Sequence, residues 1–90
     1  MAERRVRVQT EVGLHARPAA LFVQAATKAP FGVTVTKAGK DPVNAKSILS
    51  VLGLDAQHGE EIVIAAEGDD ADVVLDQLAA LVAVPQAESA

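Results

Sequence analysis

The hydrophobic pattern of this 90-residue chain switches repeatedly between a period of two and a period near 3.6. The order of those switches restricts the fold more than any other feature. Arg5-Val6-Arg7-Val8-Gln9 alternates, so it reads as a half-buried strand with Val6 and Val8 toward a core and Arg5 and Arg7 toward water. Ala19, Phe22, Val23 and Ala26 then recur at i, i+3, i+4 and i+7, the stripe of a helix over 19–28. That helix ends near Ala29-Pro30, because proline disfavours helical geometry in the residue before it. Val33 to Lys37 alternates again with β-branched residues, a second strand. A turn at Ala38-Gly39-Lys40-Asp41 leads to a short strand over 41–44, which Pro42 confines to an edge or strand end.

A short second helix opens at Asn44 or at Lys46-Ser47, whose side-chain oxygens suit a cap, and Gly53 is expected to end it. Glu60 to Glu67 is the last strand. Ala71 to Val82 is a third helix, with Val74, Leu75, Leu78, Leu81 and Val82 as its apolar stripe and Asp70 and Asp72 at its positive end. The order is β-α-β-β-α-β-α. Alternating strands leave one sheet face apolar and one wet, so the helices cover one face only: a two-layer α+β open-faced sandwich. One domain spans residues 1–84, and the polar tail 85–90 is expected to fray. The βαββαβ order also serves ferredoxin-like domains of many functions, so fold alone selects none.

Composition excludes several chemistries. The chain has no cysteine, hence no disulfide, thiolate metal site or cysteine nucleophile. With two phenylalanines and no tryptophan or tyrosine, the core must be built from Ala, Val, Leu and Ile. A net charge of −4 argues against nucleic-acid binding, which rests on cationic surface. The positive charge lies mostly in the first half, which suits an acidic protein partner. Arg4, Arg5 and Arg7 read as a solvated strand face rather than an anion site. Met1-Ala-Glu-Arg-Arg lacks an apolar signal region and no apolar run approaches a membrane span, so a cytoplasmic chain without membrane insertion is expected. No nucleotide loop, evident pair of catalytic carboxylates or metal-ligand cluster is present in the pattern, so no metal or cofactor is expected.

The chemistry gathers in Gly13-Leu14-His15-Ala16-Arg17-Pro18-Ala19-Ala20. His15 stands just before a helix start, with Pro18 in the first turn, where proline is tolerated because the first helical N–H groups have no intrahelical partner. Those free N–H groups and the helix dipole favour an anion. Arg17 adds a permanent planar charge suited to phosphate or carboxylate. Ala16, Ala19 and Ala20 are small enough to admit a partner surface. A lone histidine near a helix start is usually a cap or a surface residue; with these neighbours the residues point as far as an anion site with a reactive histidine, and no further. The second histidine, His58, lies in the loop Gln57-His58-Gly59 without such neighbours and reads as a solvated loop residue.

Gly13-Leu14-His15-Ala16-Arg17-Pro18-Ala19 resembles the active-site signature of HPr, the histidine-containing phosphocarrier family of the bacterial phosphoenolpyruvate:sugar phosphotransferase system. Asn44 to Leu54 resembles that family's regulatory-serine helix, and Gly59 to Gly68 its last strand, in the right order along the chain. The resemblance implies a four-stranded antiparallel sheet with three helices on one face. It implies that enzyme I charges His15 at Nδ1 with a phosphoryl group from phosphoenolpyruvate, that Ala16, Arg17 and Pro18 at the helix start cradle it, and that Arg17 stabilises its charge in transfer. The group then passes to sugar-specific enzyme IIA domains. Ser47 becomes the regulatory phosphorylation site, with a serine kinase/phosphorylase and regulatory proteins as further partners.

The second helix is apolar nearly all round, so it is either fully buried or shows one apolar edge to a partner. The resemblance splits it, Val51 and Leu54 inward, and Ile48, Leu49 and Leu52 toward His15, where with Ala16, Ala19 and Ala20 they form the partner interface of a monomer. The loop at Ala29-Pro30-Phe31 is about one residue longer than in most relatives, and Ala20 stands where many carry Thr. The alternatives are a paralogue in a nitrogen-related or fructose-specific phosphotransfer chain, a regulatory binding protein acting through Ser47, and a ferredoxin-like interaction module without chemistry.

Overall fold

The computed structural model describes residues 2–11 and 13–83. Its elements are β1 (Ala2–Arg7), α1 (Ala16–Thr27), β2 (Val33–Lys37), β3 (Val43–Asn44), α2 (Ile48–Leu54), β4 (Glu61–Ala66) and α3 (Ala71–Ala83). The four strands form one sheet in the order β1-β4-β2-β3, every neighbouring pair antiparallel. The three helices lie on one face of it. The expected architecture is therefore present; the tail expected at 85–90 lies outside the described residues.

Period-two alternation builds the sheet half of the core. In β4, Ile62, Ile64 and Ala66 are buried, and the register sets Val35 beside Ile64, Val33 beside Ala66 and Val6 beside Ile62. The helices complete it with Ala19, Phe22 and Ala26 from α1, Val51 and Leu54 from α2, and Leu75, Leu78 and Val82 from α3. Val23, Val74 and Leu81 are half-buried at its margin. Phe22 has the largest fully buried side chain. Each fully buried Val, Leu, Ile or Phe side chain stabilises the fold by roughly 1.5–3 kcal/mol through removal of apolar surface from water.

Several boundaries differ from expectation, each for a physical reason. β1 runs over Ala2–Arg7 rather than 5–9. Val8 is buried and still exchanges hydrogen bonds with the 59–60 segment, but the Gln9 N–H already donates to the Val82 carbonyl of α3. Arg4 is not on the wet face with Arg5 and Arg7. It pairs in register with Ile64 on the helix-covered side, where its stem packs and its head emerges beside α3. There its Nε donates to Asp76 Oδ1 at 2.9 Å and Nη2 to Asp72 Oδ1 at 3.1 Å. Asp76 first, then Asp72, raises the guanidinium above its ordinary value.

α1 begins at Ala16, earlier than its apolar stripe, because the first turn is defined by backbone rather than by burial. β3 shrinks to two residues beside Pro42, which has no N–H for the ladder. Ser47 is the N-cap of α2, its Oγ accepting from the Ser50 N–H. Gly53 lies inside that helix; the terminator is Asp55, left-handed at φ 55°.

Candidate functional site

Two loops are welded together to make the site. Thr10, the buried polar residue of the first loop, donates its hydroxyl to the Gly13 carbonyl at 2.6 Å, while the Gly13 N–H returns to the Thr10 carbonyl at 3.0 Å. Gly13 has φ 72°, and a Cβ there would stand 2.5 Å from the Ala56 carbonyl oxygen. Only glycine permits both the angle and the approach. The next residue, buried Leu14, donates its N–H to that same carbonyl at 2.8 Å. The start of α1 is thereby fixed against the end of α2.

His15 is the N-cap of α1, with extended backbone and no side-chain cap bond. Its ring is instead turned to Asp55, Nε2 lying 3.2 Å from Oδ1, with about a third of the side chain exposed (32%). Ala16, next in sequence, has φ 50°. That left-handed angle costs a non-glycine residue roughly 1–2 kcal/mol. The first helical N–H to find a backbone partner is that of Ala19, on the His15 carbonyl. The N–H groups of Ala16 and Arg17 have no partner among the described residues. Pro18 has no N–H and is buried. It shapes the turn but cannot hold an anion, so the expected cradle of Ala16, Arg17 and Pro18 reduces to the first two. The Arg17 side chain is exposed and makes no hydrogen bond or ion pair among the described residues.

Behind the histidine lies a polar network that periodicity did not reveal. Asp55 Oδ1 also accepts from Gln57 Nε2. The Gln57 N–H donates to Glu60 Oε1 at 2.7 Å, and the Lys37 ammonium bridges Glu60 Oε1 at 3.0 Å and the Asp55 carbonyl at 2.7 Å. The Gln57 N–H, and after it Lys37, hold the Glu60 carboxyl below its ordinary range. Lys37 and Glu60 read in the sequence only as strand-end charges, and nothing in the periodic pattern singles out Asp55. The one available signal was an Asp directly after a helix, a position where glycine is usual.

The expected interface residues divide. Leu49 is 79% exposed and Ile48 40%. Leu52 and Ala20 are half-buried, and Ala16 is exposed. Ile48 and Leu52 are four apart and Leu49 and Leu52 three apart, so the three share one face of α2. Ala19 is fully buried in the core, which removes it from any docking surface. At 1.5 Å per residue, Leu52 sits roughly 5 Å and Leu49 roughly 9 Å along the axis from Asp55, the residue that touches His15. Ser47 caps the opposite end of the same helix and is half-buried. His58 is exposed and makes no hydrogen bond or ion pair among the described residues.

Comparison with known proteins accords with this arrangement. The family model described as the PTS HPr component phosphorylation site matches residues 2–84. The phosphocarrier protein HPr of Streptomyces coelicolor is 58% identical over 83 residues, covering 92% of this chain and 89% of that protein. The crystal structure of a phosphocarrier protein HPr from Bacillus anthracis superposes with a TM-score of 0.84 at 46% identity, over 90% of this chain and 95% of that one. The Crh protein of Bacillus subtilis, described as a dimer with a swapping domain, superposes with a TM-score of 0.69 at 44% identity, over 91% and 93% of the two chains. Sequence signature, sheet topology and the histidine-capped helix agree, and the chain belongs to the HPr family of the phosphotransferase system.

Proposed function

We propose that this chain is a phosphocarrier that accepts a phosphoryl group on Nδ1 of His15 from phospho-enzyme I, itself charged by phosphoenolpyruvate, and passes it to enzyme IIA domains. The observation that carries the reading is the grouping at the start of α1: a partly exposed imidazole, and two backbone N–H groups and an arginine side chain that have no partner among the described residues. A neutral imidazole supplies the attacking lone pair. The Ala16 and Arg17 N–H groups receive the phosphoryl oxygens, and the Arg17 guanidinium offers two parallel donors to them. The reaction partners bring the donor and the acceptor. A carrier must bind both weakly through one overlapping surface. Ala16, Ala20, Ile48, Leu49 and Leu52 form a small apolar rim of the size that transient contacts use.

Ser47 is the regulatory site in this reading. It is half-buried at the start of α2, and a phosphate there adds roughly −1.5 to −2 charges beside the apolar rim. A regulator acting through Ser47 alone would have no use for His15. No helix among the described residues is long and apolar enough to cross a membrane, and we place the carrier in the cytoplasm as a monomer. Its edge strand β1 is tied to α3 by Arg4 and to β4 by Arg5 on Glu61.

Incubation with phosphoenolpyruvate and enzyme I, followed by intact mass, tests the assignment. The wild-type chain should gain one phosphoryl group that is labile in acid and stable in alkali, as a phosphoramidate is. His15→Ala should gain none while keeping its circular dichroism, and His58→Ala should charge normally. Arg17→Lys should fold but transfer poorly, because lysine lacks the planar fork. An acid-labile phosphate on the His15→Ala chain would refute the assignment.

A further inference from the structure

We infer that Asp55 is a positioning residue for His15: its carboxylate holds the Nε2 proton, fixes the ring tautomer, and balances the positive charge the ring acquires as the phosphoryl group joins Nδ1. The inference deepens the phosphocarrier reading and rests on His15 being the acceptor. Three observations carry it. The Asp55 Oδ1 atom is 3.2 Å from His15 Nε2. The residue sits at φ 55°, where glycine is free of steric cost and a side chain is not. That side chain is committed to His15 and Gln57 alone among the described residues. The backbone behind it is clamped from two sides, by the Lys37 ammonium on the Asp55 carbonyl and the Leu14 N–H on the Ala56 carbonyl. The carboxylate is thus aimed rather than free to swing.

In a neutral imidazole one nitrogen is N–H and the other carries the lone pair, and a hydrogen bond to one decides which. With Nε2–H donating to Asp55, the lone pair is on Nδ1. As Nδ1 attacks, the N–P bond forms and the bond from phosphorus to the donor breaks, its electron pair leaving with the donor. No proton is lost, so the ring becomes an imidazolium whose Nε2 proton faces the carboxylate. Onward transfer to an acceptor is the same process reversed. A carboxylate plays this part toward the histidine of serine hydrolases, orienting it and stabilising its cationic form. Here the pair is partly in water, with Asp55 60% exposed, so the effect is modest.

The test uses the full chain with 15N-labelled histidine, in wild type, Asp55→Gly and Asp55→Asn. Imidazole 15N shifts of the uncharged protein, taken where the ring is neutral, report the His15 tautomer without any phosphoryl transfer. Charging by phospho-enzyme I reports the rate. Wild type should show the Nε2–H form as the dominant tautomer. Asp55→Gly should show a mixture, charge about three- to tenfold more slowly, and melt no lower than wild type because glycine relieves the backbone angle. Asp55→Asn keeps an acceptor without the charge, so it should retain the tautomer and still charge slowly. If Asp55→Gly matches wild type in either tautomer or charging rate, the inference is overturned. A wild-type chain that shows the tautomer bias but is never charged at His15 overturns the phosphocarrier assignment instead.

Discussion

Leu49 and Leu78 provide a direct comparison between a docking residue and a core residue of the same type. Leu78 is completely buried in α3. Truncation to alanine removes its transfer free energy and leaves a cavity, a loss of about 2–5 kcal/mol. Leu49 is 79% exposed, so only about a fifth of it is withdrawn from water. A fully buried leucine is worth roughly 1.5–3 kcal/mol, which leaves about 0.3–0.6 kcal/mol at stake in Leu49→Ala. The slightly better helix propensity of alanine offsets part of that. For a domain of this size 1 kcal/mol moves the melting temperature by about 4–8 °C. Leu78→Ala should therefore melt at least roughly 10 °C lower, and Leu49→Ala within a few degrees of wild type. Urea unfolding followed by far-ultraviolet circular dichroism gives the free energies, and initial rates of charging by phospho-enzyme I give the functional effect. Leu49→Ala should charge about five- to tenfold more slowly at limiting carrier, the loss expected of an interface residue worth more than about 1 kcal/mol. Folded Leu78→Ala should charge normally, since its side chain lies inside the core. Equal destabilisation of the two variants, or wild-type charging by Leu49→Ala, would refute the assignment of the exposed face of α2 to docking.

Gly13→Ala combines a strained φ of 72° with a Cβ only 2.5 Å from the Ala56 carbonyl; it should cost more than about 1 kcal/mol and speed hydrogen exchange at the Leu14 amide. Ser47→Ala removes the α2 cap and should lose about 1 kcal/mol in urea titration. Ser47→Asp keeps a capping oxygen and should hold the melting temperature while slowing charging; unchanged charging kinetics would remove the regulatory role. Glu60 has a carboxyl held below its ordinary value of 4.5, first by the Gln57 N–H and then by Lys37. Its contribution is present above the unfolded-state value and is lost as pH falls through the lower folded-state value. The urea midpoint of Glu60→Gln should therefore decline less steeply than wild type below about pH 4.5.

Much of this molecule was legible before any tertiary contact was considered. Alternation at Val33 to Lys37 and Glu61 to Ala66, and the stripe Ala19, Phe22, Ala26, are local patterns whose burial follows from backbone periodicity alone. The same locality explains why Ser47 could be read as a cap and His15 as a residue at a helix start. Local pattern was less informative at element ends. Arg4 looks like its neighbours Arg5 and Arg7, yet parity along β1 sets it on the helix side, and only the acidic side chains of α3 make that position favourable. Ala19 looked available to a partner because it is small. Burial against the rest of the core takes it away.

By its own residues, then, the sequence determined the order of elements, the two-layer class, and a histidine beside an arginine at a helix start. Tertiary structure decided which atoms that histidine meets. Asp55 reaches His15 across 40 residues, and Lys37 reaches Asp55 and Glu60 across 18 and 23. Nothing in the spacing of those residues encodes the contact. It exists because Gly13 lets the segment before α1 lie against the carbonyl of Ala56, which follows α2. Periodicity is a property of a few adjacent residues; a hydrogen bond across a loop junction is a property of the assembled chain.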